Sequence, residues 1–135
     1  MTYTGPFPHT NHGTTTAIVV SGKTFTGNVG NTGTITPGIP AGILVEDNSK
    51  INGQISNAGL ISVGVGIVVA GTSSSIDHSN VTSGILNTGA GTIKAGGSGI
   101  LVEYESKFTG GIKNAGAISA GGEGIDAFHD STFAG

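Results

Sequence analysis

The sequence contains no cysteine, no tryptophan and no arginine, and only 10% of its 135 residues are charged. The absence of cysteine excludes disulfide bonds and thiolate metal sites. The chain has five lysines spread along its length and a formal net charge of −3. Because phosphate backbones are bound by clustered Lys and Arg, we expect no nucleic-acid partner.

Long apolar runs are also missing. No stretch approaches the ~20 apolar residues that span a bilayer, so we expect no membrane insertion by this segment. The first residues, Met1 to Pro6, have neither the basic segment nor the apolar core of a signal peptide. These features predict either a cytosolic chain or a fragment excised from an exported protein.

Glycine is the dominant residue that is present, with 26 copies. So much glycine is typical of disorder or of a fibrous fold. Disordered chains are usually charged and poor in β-branched residues, whereas this chain has few charges and its Ile and Val residues recur at fixed offsets. We therefore predict an ordered repeat.

The repeat has two signatures. Gly-Ile pairs begin at residues 42, 66, 99 and 124, and Ala17-Ile18 stands 25 residues before the first of them. Between them lies an apolar-x-Asn-x-Gly motif whose asparagines are Asn31, Asn57, Asn87 and Asn114. Apolar residues alternate within each unit, as in Ile43 and Val45, and this period of two predicts strands with one buried face.

A unit of three short strands cannot bury its own apolar face, but stacked units can. The sequence therefore predicts an all-β fold, a right-handed parallel β-helix (a β-solenoid) of about 4–5 coils of about 25 residues. Right-handedness follows from the hand of parallel crossovers. The expected divisions are an N-terminal arm or cap at 1–16, coils near 17–41, 42–65, 66–98 and 99–123, and a partial coil at 124–135.

Stacking at ~4.8 Å places like residues over like. We expect one column of Ile43, Ile67, Ile100 and Ile125, and another of Ile35, Ile61, Ile93 and Ile118. We expect a third column in which side-chain amides hydrogen-bond along the stack, a ladder of Asn31, Asn57, Asn87 and Asn114 placed at a corner where left-handed backbone angles are tolerated.

The run from Lys107 to Gly122, KFTGGIKNAGAISAGG, resembles the repeats in passenger domains of bacterial autotransporters. The resemblance covers about residues 17–135. It implies a β-helical protein exported to the bacterial cell surface, with an extracellular location and a structural or adhesive role. It is compatible with two classes of partner, a glycan or a protein, on a host or on another surface.

A calcium motif is the first candidate for chemistry. The stretch from Gly121 to His129 matches the calcium-binding nonapeptide of β-roll repeats. Such sites take ligands from neighbouring turns, yet the preceding repeat has Leu101 where an Asp belongs. We therefore predict no metal site, with Asp126 as the one calcium candidate, and no cofactor.

Two carboxylates are the second candidate. Glu46 and Glu103 both follow Gly-Ile-Leu-Val and lie two coils apart, with Ala70 at the position between them. Stacking would separate them by ~10 Å, near the upper end of the spacing in inverting glycosidases. Because no arginine is available to clamp a substrate, we expect two solvated carboxylates and no enzyme.

The third candidate is an insertion. The third full repeat is about nine residues longer than its neighbours, with most of the excess expected between Ile76 and Ile85 and two residues near 89–91. Insertions in solenoids become loops on one face, often the binding face. Asp77, His78 and Asn80 are thus the predicted contact residues, the alternative being a tolerated bulge.

Three functions follow from these observations. The leading hypothesis is a structural or adhesive module of a cell-surface passenger. The second is a self-assembling extracellular filament subunit joined end to end by strand addition, since Phe133 to Gly135 begin another repeat. The third is a polysaccharide-binding or polysaccharide-cleaving β-helix.

Overall fold

The chain is all-β. The computed structural model describes residues 1–71, 79–103, 107–108, 110–127 and 132–133, and at 37–40, 107–108 and 132–133 it describes the backbone alone. These residues form 19 strands and no helix. Every strand pair among them is parallel. The predicted all-β class is confirmed.

The largest sheet, sheet 1, has nine strands. Its strands are β1 (Thr2–Tyr3), β3 (Thr14–Thr15), β4 (Ala17–Ser21), β7 (Thr34–Glu46), β10 (Leu60–Ala70), β13 (Thr92–Ala95), β14 (Ile100–Glu103), β17 (Ala117–Ala120) and β18 (Ile125–Ala127). The long strands β7 and β10 each pair through two segments, so that β10 contacts β13 with its first residues and β14 with its last.

Two five-stranded sheets complete the fold. Sheet 2 contains β5 (Thr24–Thr26), β8 (Lys50–Asn52), β11 (Asn80–Val81), β15 (Lys107–Phe108) and β19 (Thr132–Phe133). Sheet 3 contains β2 (His9–Asn11), β6 (Val29–Asn31), β9 (Ile55–Asn57), β12 (Ile85–Asn87) and β16 (Ile112–Asn114). From β4 onward the chain passes from sheet 1 to sheet 2 to sheet 3 and back to sheet 1.

Strand register joins equivalent positions of successive repeats. Ile61 pairs with Ile35 on one side and with Ile93 on the other, and Ile93 pairs in turn with Ile118. The other predicted isoleucine column is also found, and it gains Ile18 at its N-terminal end. Like side chains therefore neighbour one another along each sheet.

The core is built from the inward residues of these strands. Alternation along β14 illustrates the rule, because Ile100 and Val102 are fully buried whereas Leu101 and Glu103 are only half-buried. The buried cluster is aliphatic and consists of Ile18, Val20, Val29, Ile35, Ile43, Val45, Ile51, Ile55, Ile61, Ile67, Val69, Val81, Ile85, Ile93, Ile100 and Val102.

Close backbone contact requires glycine at several motif positions, among them Gly59 and Gly66. A Cβ on Gly59 would lie 2.1 Å from the Gly33 carbonyl oxygen, and one on Gly66 would lie 2.2 Å from that of Gly99. The expectation of left-handed angles at the Asn-x-Gly corner is wrong. Among the described residues other than glycine, positive φ occurs only at Asp47 (55°) and Asn48 (57°), in a different corner.

Register also relocates the insertion. Val45 and Lys50 are five residues apart, whereas their partners Val69 and Asn80 are eleven apart, so six extra residues lie between Val69 and Asn80. The expected segment between Ile76 and Ile85 overlaps this interval only at residues 77–79, and from Asn80 to Ile85 the spacing equals that of the preceding repeat. Two further residues lie between Asn87 and Thr92, as the sequence predicts.

Residues 1–16 contribute three strands to the sheets. Tyr3 in β1 pairs with Ile18, and Thr15 in β3 pairs with Ile35, both in sheet 1. Asn11 in β2 pairs with Asn31 in sheet 3. Sheet 2 receives no strand from this segment. The proposed division into an arm and coils stays a prediction.

Candidate functional site

A chain of asparagine amides runs along the inner side of sheet 3. Asn31 Nδ2 donates to Asn57 Oδ1 at 2.9 Å, and Asn57 Nδ2 donates to Asn87 Oδ1 at 2.9 Å. Asn87 Nδ2 continues the chain to Asn114 Oδ1 at 2.8 Å. Asn11 extends it at the other end, donating to Asn31 Oδ1 at 2.8 Å. The amides of the four asparagines predicted to form a ladder are thus hydrogen-bonded in series, with a fifth added.

The ladder amides also bind the backbone. Asn57 Nδ2 contacts the carbonyl oxygens of Gly59 at 3.1 Å and Thr92 at 3.4 Å. Its amide oxygen accepts from Asn31 and from the Gly59 N–H. Asn57 is fully buried, and its hydrogen-bonding capacity is used within the fold. The ladder therefore stabilises the sheet instead of presenting groups to a ligand.

Asn11 is the ladder member that the sequence motif missed. The motif requires an apolar residue two positions before the asparagine, but His9 occupies that position here. His9 pairs with Val29, the apolar residue of the next repeat. The remaining signal, Asn11-x-Gly13, was present in the sequence. A motif defined on Asn-x-Gly alone would have included it.

Glu46 and Glu103 line one groove on the outer face of sheet 1. The groove has a volume of about 280 Å³. Its other walls are aliphatic and are formed by Ala41, Leu44, Val65, Val68, Ala70 and Leu101. Ala70 pairs with Glu103, so the two carboxylates flank an alanine as the sequence suggested. The groove supplies carboxylates and apolar surface, and no hydrogen-bond donor side chain is among its lining residues.

The groove changes the pKa of the Glu46 carboxyl group. Burial, and secondarily the neighbouring Asp47 carboxylate, raises the pKa of Glu46 above its usual value. A raised pKa is a property of a general acid, but it also follows from any apolar wall beside a carboxyl group. A sugar could donate its hydroxyl protons to the two carboxylates, but no lining side chain donates to its oxygens.

Asp126 lies in β18 and is half-buried. Its parallel partner is Leu101, whose side chain has no oxygen to offer a cation. Among the described residues no group of three or more His, Cys, Asp or Glu side chains is placed to hold a metal ion.

The insertion residues are only partly described. Asp77 and His78 lie outside the described residues. Asn80 belongs to β11 and pairs with Lys50 on one side and Lys107 on the other, so it is a sheet residue and not part of an inserted loop. Its Oδ1 atom is buried and has no hydrogen-bond partner in the part of the chain that the structure describes.

An aromatic cluster that sequence reasoning missed lies at the N-terminal end of the sheets. The rings of Phe7 and Phe25 are stacked with centroids 5.1 Å apart and planes at 11°. Tyr3 stacks on His9 at 3.6 Å and meets Phe7 edge to face at 5.6 Å. Burial, and secondarily His12, lowers the pKa of the His9 imidazole. The sequence signal was the density of aromatic residues in this segment.

Fold and site together define an all-β repeat protein with parallel, in-register sheets and a buried amide ladder. Comparison of the chain with protein-family models, with curated proteins and with solved structures gives no match. The part of the chain that the structure describes contains no helix long and apolar enough to cross a membrane.

Proposed function

We propose that the chain is a right-handed parallel β-helix that acts as a structural or adhesive module of an exported cell-surface protein similar to autotransporter passengers. The observation that carries this proposal is the register: each isoleucine and asparagine column continues from one repeat to the next in the same order. Parallel crossovers between such strands are almost always right-handed.

The interior supports a structural role. It is filled by aliphatic side chains and by amides that bond to one another, so the repeat is held by contacts with its neighbours. Repeats of this kind extend a surface without needing a catalytic centre. The outer faces are free to carry whatever contacts the complete protein makes, which is the property of a display scaffold.

Surface location is tested on cells that express the gene naturally. We expect antibodies raised against the purified chain to label intact cells, and proteinase K added outside to remove the label. Permeabilised cells and a cytosolic marker protein are the controls. Labelling that requires permeabilisation would exclude the cell-surface module.

A filament subunit is the second candidate. Within the described residues, β5 and β19 of sheet 2, and β2 and β16 of sheet 3, are terminal strands that pair on one side only. Such edges are templates for adding a strand from another copy, although Pro8 packs on Gly27 beside the β5 edge and restricts addition there. Electron microscopy of the purified chain over a range of concentrations separates the two: fibres one coil wide favour the filament, and monodisperse particles favour the module.

A further inference from the structure

A second cavity, distinct from the carboxylate groove, lies at the N-terminal end of sheet 2. It has a volume of about 300 Å³, at the lower end of the range for small-molecule sites. Its lining consists of Thr4, Gly5, Pro6, Phe7, Lys23, Thr24 and Phe25. These residues come from two segments that the fold brings together, so the cavity exists only in the folded chain.

One wall of this N-terminal cavity is apolar and rigid. Phe7 and Phe25 are stacked at 5.1 Å and are half-buried against the core. Pro6 precedes Phe7, and its carbonyl accepts a hydrogen bond from the Tyr3 hydroxyl. The stacking and this bond hold the wall in one geometry, so a flat apolar ligand would meet a preformed surface.

The lining of the N-terminal cavity also includes polar residues, namely Thr4, Lys23 and Thr24. Lys23 is exposed and brings an ammonium group, and no carboxylate is among the described lining residues. Lys50 N–H donates to the Lys23 carbonyl, and Gly27 N–H donates to the Asn52 carbonyl, so residues 23 and 27 face β8. Because successive residues of a strand face opposite sides, the backbone N–H and C=O of Thr24 point to the open edge of sheet 2.

We propose that this cavity binds a small six-membered ring compound that carries a carboxylate. The ring lies against the Phe7–Phe25 wall, the carboxylate lies beside the Lys23 ammonium, and the edge N–H of Thr24 donates to it. An aromatic acid and a uronic acid share this chemistry. The site goes beyond the proposed scaffold function and does not depend on it.

A peptide strand is a less suitable occupant. Strand addition to β5 needs the edge groups of Thr24 and Thr26 together. Pro8 packs on the neighbouring Gly27, where an added Cβ would lie 2.7 Å from Pro8 Cγ. The segment before β2 therefore crowds one end of the β5 edge and leaves the Thr24 end open to a short ligand.

The test is a backbone amide NMR titration of the purified chain with benzoate, cyclohexanecarboxylate and glucuronate. Benzyl alcohol, cyclohexylmethanol and glucose are the respective neutral counterparts. We expect saturable shifts at Gly5, Lys23 and Thr24 with at least one carboxylate and none with its neutral counterpart. Which carboxylate binds distinguishes an aromatic acid from a uronic acid.

Two lysine variants separate charge recognition from general effects. Lys23→Gln should weaken carboxylate binding about fivefold, the effect of losing one exposed ion pair. Lys94→Gln, at an exposed position in sheet 1, should leave binding unchanged. Both positions are exposed, so both variants should keep the wild-type spectrum.

Three outcomes would overturn the proposal: wild-type affinity in Lys23→Gln, binding of the neutral compounds, or the absence of saturable shifts. The scaffold function is decided separately by surface labelling of cells.

Discussion

At the scale of single residues, buried amides and glycines hold the repeats in place. The ladder asparagines before Asn114 each donate to the next amide, to a carbonyl oxygen of their own repeat and to a carbonyl oxygen of the next repeat. Polar groups inside a protein are stable only when such bonds are made. The ladder therefore makes each repeat dependent on the repeats before and after it.

Removing one amide from the middle of the ladder should destabilise the folded state. Asn57→Ala leaves the Asn87 amide oxygen without its Asn57 donor and removes two bonds to carbonyl oxygens. We expect the free energy of unfolding to fall by about 3 kcal/mol, measured by urea denaturation at pH 7. Asn52→Ala, an exposed asparagine in β8, is the control and should change it by less than about 0.5 kcal/mol. Equal losses in the two variants would contradict a structural ladder.

A second prediction at this scale concerns Glu46. Folding raises the pKa of this carboxyl group above its usual value of 4.5, so the folded state binds the proton more tightly than the unfolded state. The free energy of unfolding therefore falls as the pH rises from below 4.5 through the raised pKa of the folded state. Glu46→Gln removes this loss. We expect its Tm to exceed that of the wild type at pH 7 and the difference to shrink at pH 3, followed by circular dichroism. The same change at Glu123, an exposed position, is the control, and an identical response there would contradict the assignment.

At the scale of elements, short strands with one inward face explain the burial pattern. In β14 the inward Ile100 is fully buried, and its outward neighbour Leu101 lines the carboxylate groove. The two side chains have the same number of atoms and lie in the same strand. Their difference is therefore the face of the sheet that each one occupies.

This difference predicts unequal effects of truncation. Ile100→Ala opens a cavity in the aliphatic cluster and should lower the free energy of unfolding by about 3 to 4 kcal/mol. Leu101→Ala removes half-exposed surface and should lower it by about 1 kcal/mol. Guanidinium denaturation of both variants measures the difference. Equal effects would mean that β14 does not separate an inside from an outside.

At the scale of the whole molecule, repeats are stabilised by neighbours on both sides. Ile61 and Ile67 in β10 pair on both flanks and are fully buried. Ile125 in β18 pairs on one flank in the described residues and is 46% exposed. Stability in such arrays depends on nearest-neighbour contacts.

Hydrogen exchange should be slower in central repeats, which pair on both flanks, than in terminal repeats. We expect amides of β6, β9 and β10 to exchange slowest, and those of β16, β17 and β18 to exchange faster by at least tenfold, because terminal repeats open without disturbing the centre. Peptide-resolved mass spectrometry at pH 7 measures both groups in one experiment. Uniform protection from β6 to β18 would mean that the array opens only as a single unit.

The sequence alone determined the inward faces of the repeat strands and the pairing of their isoleucine and asparagine columns. Period-two alternation identified the inward face, and the recurrence of Ile and Asn at one offset fixed which residues pair across repeats, because stacking places like on like. The sequence also signalled Asn31 and Asn57 as ladder members. These features are local or periodic, so they can be read without knowing how the chain folds back on itself.

Only the tertiary structure decided the remaining features. It placed Gly33, Gly59 and Gly116 close to carbonyl oxygens of a neighbouring repeat, added Asn11 to the ladder and moved the insertion to the segment before Asn80. It also joined Phe7 to Phe25, which are eighteen residues apart, around the N-terminal cavity. These depend on distances between atoms of different repeats, and a repeat pattern states which residues are equivalent but not how closely their backbones approach.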